Sequence, residues 1–314
     1  PPKMGLAFRL VNAPGAAQPG PHRATHVCRR RLRRATPAAM STQSGSKGRS
    51  VSVLDLQEMK RRGERIAALT AYDYLFARLV DAAGTDLVLI GDSLAHVVQG
   101  LDSTLPVTLD EMIYHARAVR RGVQRALVVV DLPFLSYQVS REDALRNAGR
   151  VLKETGAAAV KLEGGAPEIA QTIGALARVG IPVMAHLGFT PQSVHALGGA
   201  RVQGRDEGGR QRLLDEARAV QDAGAFSLVL ELVPGALAAE VTAQLAIPTV
   251  GIGAGVGCDG QILVLHDMLG LNPGFQPRFL RRFAELGEQA AQGLGDSVRA
   301  VKAGEYPAAE HTFA

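Results

Sequence analysis

The chain has 314 residues, with 35 Lys and Arg against 30 Asp and Glu, a formal net charge of +5. Hydrophobic residues make up 46% and charged residues 21%, a globular balance that excludes a collagen, a coiled coil and a wholly disordered chain. Two cysteines, Cys28 and Cys258, are too few for a disulfide scaffold and lack zinc-ligand spacing, so a reducing compartment is the simpler reading. The absence of Trp speaks against a base- or carbohydrate-stacking module.

The charge is unevenly placed. Residues 1–50 hold ten basic side chains and no acid, which leaves 25 basic against 30 acidic groups in residues 51–314, a net of −5. The expected organisation is therefore a disordered basic tail, rich in Pro, Gly, Ala and Ser, over residues 1–50, and one mildly acidic domain over residues 51–314. Reading the whole chain as a nucleic-acid binder would be an error of averaging. Three readings of the tail compete: an Arg-rich, acid-free transit segment, an arm attracted to RNA or membrane through Arg29–Arg34, or sequence upstream of a true start at Met40-Ser41-Thr42. The last is adopted, with a solvated tail close behind. The uncharged stretch from Val241 to Cys258 is interrupted by Gln244, Pro248 and four glycines, and makes a poor membrane span. The expected setting is cytoplasmic, with no nucleic-acid or membrane partner.

From Ser52 onward, β-rich runs alternate with helical stretches. A helix-start pattern at Ser52–Asp55 precedes the first strand and suits a short helix that plugs a barrel. The runs are Ile66–Asp73, Asp86–Asp92, Ala126–Pro133, Ala158–Glu163, Pro182–Gly188, Phe226–Val233, Pro248–Gly255 and Gln261–Asp267. Most are continuous and apolar, as parallel strands covered on both faces should be. Between them, Thr108–Glu111 reads as a capping box with Gly122 closing its helix. Ser140–Asp143 opens another helix that ends near Gly156, and Thr190-Pro191 fits an N-cap followed by an N1 proline. Eight β/α units in roughly 260 residues predict a (β/α)8 TIM barrel. A doubly wound sheet gives no reason for eight units, and the first β/α turn lacks the dinucleotide-binding glycine pattern. The glycines at 251, 253 and 255 fit a tight turn slightly better than an anion cradle.

In such a barrel the carboxyl ends of all strands meet at one mouth. Asp92, Asp131, Glu163, His186 and Glu231 fall at or near those ends, as do Asp73 and His266. Crowded carboxylates repel one another, and a hard divalent cation such as Mg²⁺ or Mn²⁺ relieves them. For any single acid, capping the next helix is an equally good reading, and Asp92-Ser93 fits it. For three acids together, catalysis is favoured. Lys161 and Glu163 lie two apart and face the same side; beside a metal, that ammonium suits a bound carboxylate or enolate better than a structural salt bridge. His186 alone reads more often as a core histidine. Glu231, inside the apolar run LVLELVP, needs a reason, and proton transfer is one. These residues point to metal-assisted enolisation of a small oxygen-rich anion.

The same segments resemble the ketopantoate hydroxymethyltransferase family. The matching motifs are TAYDY at 70–74, GDSL at 91–94, VQGLDSTLPVT at 98–108, AVRRG at 118–122, DLPF at 131–134 and VKLEGG at 160–165. They continue with HLGFTPQSV at 186–194, VQGR at 202–205, LELVP at 230–234, GIGAG at 251–255, DGQILVLHD at 259–267 and EYPAAEH at 305–311. The order matches from about residue 52 to the end; any one motif is weak, and the set is specific. The resemblance implies a phosphoenolpyruvate-mutase-like barrel; residues 1–50, the disordered basic N-terminal tail expected from composition, match nothing in the family. It implies transfer of a hydroxymethyl group from 5,10-methylenetetrahydrofolate, with water, to 3-methyl-2-oxobutanoate, giving 2-dehydropantoate for pantothenate biosynthesis. It implies Mg²⁺ held by Asp92 and Asp131, with Glu163 completing the site directly or through water. It further implies an oxo acid chelating the metal with Ser93 and Lys161 at its carboxylate, Glu231 as the proton acceptor, His186 near the new hydroxymethyl group, and a homo-oligomer, often a decamer. Ala95 stands where the family commonly has Gly and Ala200 where an aromatic is common, which makes folate handling the part most open to change. Two rivals are weaker. A related lyase would carry a catalytic Cys in a mobile loop, whereas Cys258 lies in a Gly-rich turn. An inert barrel with an RNA-binding tail leaves the carboxylate set unexplained.

Overall fold

The computed structural model describes residues 49–313. The expectations for residues 1–48 therefore lie outside the described residues. Helix α1 (Val53–Arg62) comes first, followed by β1 (Ile66–Thr70), α2 (Tyr74–Ala82), β2 (Leu87–Ile90), the short α3 (Leu94–Val97), α4 (Leu109–Gly122) and β3 (Leu127–Asp131). Next are α5 (Arg141–Thr155), β4 (Ala159–Glu163), α6 (Pro167–Arg178), β5 (Val183–Gly188), α7 (Glu207–Asp222), β6 (Ser227–Glu231) and α8 (Gly235–Gln244). The chain ends with β7 (Thr249–Ile252), β8 (Gly260–Leu263), α9 (Leu265–Met268) and α10 (Leu286–Ala303). The eight strands form a closed barrel in chain order, and each pair of neighbours is parallel.

Each of the eight apolar runs coincides with one strand, and every strand is shorter than its run; β8 alone starts one residue before its run, at Gly260. At every strand except β4 and β5 the carboxyl-terminal residues of the run leave the ladder, because there the chain turns away to build the mouth loops. Strands β3 and β4 are buried along their whole length, as two covered faces require. Side chains that point inward stack as an apolar plug of Ile66, Leu87, Leu127, Val129, Met184 and Phe226, among others. Leu56 of α1 is fully buried in that same layer, so α1 stoppers the lower end. Lys60 fastens it there, donating to Asp259 Oδ2 at 2.8 Å and to the Thr242 carbonyl at 2.9 Å. A larger apolar layer lies between the outer strand faces and the helices.

Helix starts follow the side chains that can accept a free N–H. Capping boxes form at Ser52/Asp55 and Thr108/Glu111, and Ser140 accepts from the Asp143 N–H. Gly156 ends α5 in the left-handed conformation at φ 72°. Thr190-Pro191 differs from expectation. It opens only a three-residue 3₁₀ turn, Pro191–Ser193, with no side-chain cap, and the helix of that unit starts at Asp206 instead. The intervening residues are used as a loop at the mouth.

The β1/β8 seam departs from full coverage. Ala67 and Gln261 are exposed on its outer face, and α10 contains no buried residue. Leu294, Val298 and Val301 of α10 are all more than half exposed.

Gly188 ends β5 at φ +93°, paired with Glu231 of β6. A Cβ there would overlap the Glu231 carbonyl oxygen and press on Val233. Left-handed backbone and overpacking together predict that Gly188→Ala destabilises the barrel by about 3 kcal/mol. Thermal unfolding should show a midpoint lowered by roughly 6–12 °C; an unchanged midpoint would show that the β5–β6 junction has slack.

Candidate active site

Strand periodicity places the polar side chains. In β3, Leu127 and Val129 belong to the inner plug, so Asp131, two further on, points inward above them. The same alternation carries Ala159 to Lys161 and Glu163 in β4, Met184 to His186 in β5, and Val229 to Glu231 in β6. Register sets Asp131 beside Lys161 and Glu163 beside His186. Asp92 and Ser93 follow β2, where Ser93 makes no capping bond to α3. The sequence motifs thus meet in one polar layer over an apolar plug. Asp92, Asp131, Lys161, Glu163 and His186 are each at most 5% exposed, whereas Glu231 is only partly buried.

The contacts within this layer are close. Lys161 Nζ lies 2.8 Å from Asp131 Oδ1 and 3.9 Å from Glu163 Oε1. His186 bridges two acids, with Nδ1 3.3 Å from Glu163 Oε1 and Nε2 3.4 Å from Glu231 Oε2, though neither approach has hydrogen-bond alignment. The Asp92 N–H donates to Asp131 Oδ2 at 3.1 Å. Ser93 Oγ shares a hydrogen bond of 2.9 Å with the Tyr72 hydroxyl. Directly after Glu231 the chain turns through Leu232 at φ 48°, a left-handed conformation that costs a non-glycine residue about 1–2 kcal/mol. Its N–H and carbonyl are held by Ile252 and Gln203, each at 2.9 Å.

Burial dominates the electrostatics. It raises Asp92 well above the ordinary carboxylate range, and repulsion from Asp131 and Glu163 adds to the shift. Asp131 is also raised, first by burial and then by Glu163, against the opposing pull of Lys161. Glu163 ends below its usual value: burial pushes it up, but His186, Lys161 and the Gln192 N–H outweigh that. For Lys161, burial disfavours the ammonium, yet three surrounding carboxylates leave its pKa raised. His186 is pulled down by burial and by Lys161, but Glu163 and Glu231 push it up to about 9.

Several side chains fall outside the expected set or join it unannounced. Asp73 caps α2 by accepting from the Phe76 N–H, and His266 packs against the rings of Tyr72 and Phe76; neither reaches the polar layer. Gln192 and Tyr137 are buried within it and contact Glu163. Gln192 lies in the HLGFTPQSV motif, but nothing in its spacing announced a carboxylate contact. The layer floors a cavity of about 850 Å³ whose upper walls include Phe189, Val202, Phe275, Arg278 and Phe279. Ala200 lines that cavity, whereas Ala95 is buried in the outer core. Gly253 turns at φ +62°, and a Cβ there would press against Leu232 and Phe279, in keeping with a tight packing turn. Cys258 is buried away from the cavity.

The donor set suits a hard cation, because three carboxylates share one buried patch and two of them are forced toward protonation. Even so, among the described residues no three His, Cys, Asp or Glu side chains stand in a metal-holding arrangement. The Lys161 ammonium, set between Asp131 and Glu163, supplies part of the countercharge. Mg²⁺ commonly needs only one or two carboxylates with water completing its shell, so the residues fit the ion.

The ketopantoate hydroxymethyltransferase family model matches residues 50–309. A 3-methyl-2-oxobutanoate hydroxymethyltransferase of Desulforapulum autotrophicum is 58% identical over 263 residues, covering 84% of this chain and 98% of that protein. One from Syntrophotalea carbinolica is 55% identical over 262 residues, covering 83% and 98%. Among solved structures, the phosphoenolpyruvate phosphomutase of Streptomyces platensis superposes with a TM-score of 0.56 at 18% identity, covering 81% of this chain and 88% of that one. At that identity the likeness establishes the fold alone, a phosphoenolpyruvate-mutase-like barrel. With the family match spanning nearly all the described residues, the chain belongs to the ketopantoate hydroxymethyltransferase family.

Proposed function

We propose that this chain transfers a hydroxymethyl group from 5,10-methylenetetrahydrofolate, with water, to 3-methyl-2-oxobutanoate, giving 2-dehydropantoate and tetrahydrofolate in pantothenate biosynthesis. The observation that carries the reading is the buried cluster of Asp92, Asp131 and Glu163 with Lys161, beside a partly buried Glu231 in a large cavity. Asp92 and Asp131 would hold Mg²⁺, with Glu163 directly or through water. When bound, Mg²⁺ supplies Lewis-acid polarisation of the 2-oxo group, which acidifies the C3 proton.

The remaining work falls to the chain. Lys161, kept charged by its carboxylate neighbours, binds the anionic end of the oxo acid together with Ser93. Glu231 accepts the C3 proton, and the carbon so released attacks the one-carbon unit. His186 lies between Glu231 and Glu163, so its charge stands beside the base and near the new hydroxymethyl group. The cavity is far larger than a five-carbon oxo acid needs, and its apolar upper walls suit the ring system of a folate.

Residues 51–314 are the catalytic domain in this reading, and residues 1–50 are a separate basic segment. A homo-oligomer is supported by the bare β1/β8 seam and by the exposed apolar side chains of α10, which a second copy would cover. No helix among the described residues is long and apolar enough to cross a membrane. The cytoplasm is the proposed setting.

Two outcomes are expected. Glu231→Gln should slow deuterium exchange at C3 of 3-methyl-2-oxobutanoate by about 10²- to 10⁴-fold in NMR, with little change in substrate affinity. Exchange at the parent rate would remove Glu231 as the base. The second concerns stability in the metal-free protein. His186 titrates near 9 when folded, against 6.5 for the free side chain, so its stabilisation is complete below 6.5 and is lost as pH rises through about 9. Asp92 and Asp131, also raised, act with the same sign. Unfolding should therefore show stability falling across that window, with a His186 share on the order of 3 kcal/mol that His186→Asn abolishes. A flat profile would contradict the charged His186.

A further inference from the structure

Gln192 is 6% exposed, and its side-chain amide and backbone N–H are all hydrogen-bonded. Its Oε1 accepts from the Tyr137 hydroxyl at 2.8 Å and from Gln138 Nε2 at 3.1 Å. Its Nε2 donates to Asp92 Oδ2 at 2.9 Å and to the Leu132 carbonyl at 3.0 Å. Its backbone N–H donates to Glu163 Oε2 at 3.0 Å. Two donors converging on Oε1 dictate which end of the amide faces Asp92. The Tyr137 hydroxyl that anchors Gln192 also accepts the Glu163 N–H at 3.0 Å, so one small network reaches Glu163 at the end of β4 and Asp92 in the loop after β2.

Each acid of the cluster thereby has one oxygen committed to an amide. Gln192 takes Asp92 Oδ2 through its side chain and Glu163 Oε2 through its backbone, and the Asp92 N–H takes Asp131 Oδ2. Asp92 Oδ1 has no hydrogen-bond partner among the described residues. A neutral amide suits this task. A second ammonium or guanidinium would fix the carboxylates equally well but would cancel the negative charge that attracts a cation.

We infer that Gln192 is a positioning residue for the cation: it ties one oxygen of Asp92 and one of Glu163, and so leaves Asp92 Oδ1 directed for a divalent ion while Glu163 Oε1 is turned toward Lys161 and His186. The inference rests on the cation site proposed above. Supports of this kind commonly contribute about 10- to 100-fold in metal affinity.

The test is Mn²⁺ binding to the full chain, read from the free-ion signal in electron paramagnetic resonance. Gln192→Met keeps length and removes both side-chain donors and the acceptor, while the backbone N–H to Glu163 stays. The Mn²⁺ dissociation constant should rise about 10- to 100-fold, and the bound-ion spectrum should change. Tyr137→Phe, which retains Gln192 but removes one of the two donors to its Oε1, should move affinity in the same direction by less, and it carries the test if Gln192→Met does not fold. A purely structural role lowers the melting temperature and leaves the affinity of the folded fraction within about two-fold of the parent; that result overturns the inference. A parent that binds no Mn²⁺ overturns the underlying cation site, and this inference with it.

Discussion

Three carboxylates buried in one patch form the constraint around which the rest of the structure is arranged. Desolvation and mutual repulsion drive Asp92 and Asp131 toward protonation, while Lys161 and His186 hold Glu163 ionised. Such a cluster is costly to keep. It persists because the protein meets it with an ammonium, an imidazole and a set of amides, and because a hard cation would complete the countercharge.

The barrel makes this arrangement mechanically simple. Strand alternation separates the interior into an apolar plug and a polar layer without any special backbone, since the residue two beyond a plug residue must lie above it. Two exits from the barrel take uncommon backbone conformations beside the candidate base. Gly188 and Leu232 lie at the exits of β5 and β6, on either side of Glu231, and both have positive φ. Strain beside a candidate proton acceptor is where functional demands commonly concentrate it.

Much of this was legible in the sequence, for a physical reason. Parallel strands covered on both faces must be continuously apolar, so all eight runs stand out, and a polar residue ending such a run must face either the mouth or a helix. That logic brought Asp92, Asp131, Glu163, His186 and Glu231 to one place. It also attracted Asp73, whose side chain serves α2 as a cap. Thr190-Pro191 reads as a helix start, but the chain there is occupied in delivering Gln192 to the carboxylates. Gln192 itself was invisible, since a neutral amide in a loop carries no periodic or charge signal, and its partners lie 29 and 100 residues away. The bare outer seam beside β8 was equally hidden, because the number of β/α units says nothing about whether the last helix packs on its own barrel.

The most direct test of the account is calorimetric titration of the metal-free chain with Mg²⁺ near neutral pH, in buffers of different ionisation enthalpy. If Asp92, Asp131 and Glu163 share one cation, a single site per chain should fill with proton release, because the Asp92 carboxyl, pushed up to about 8 by burial, must ionise to bind the ion. Asp131→Asn should lose most of that affinity. Binding without proton release, or with parent affinity in Asp131→Asn, would contradict the claim that these acids act as one site.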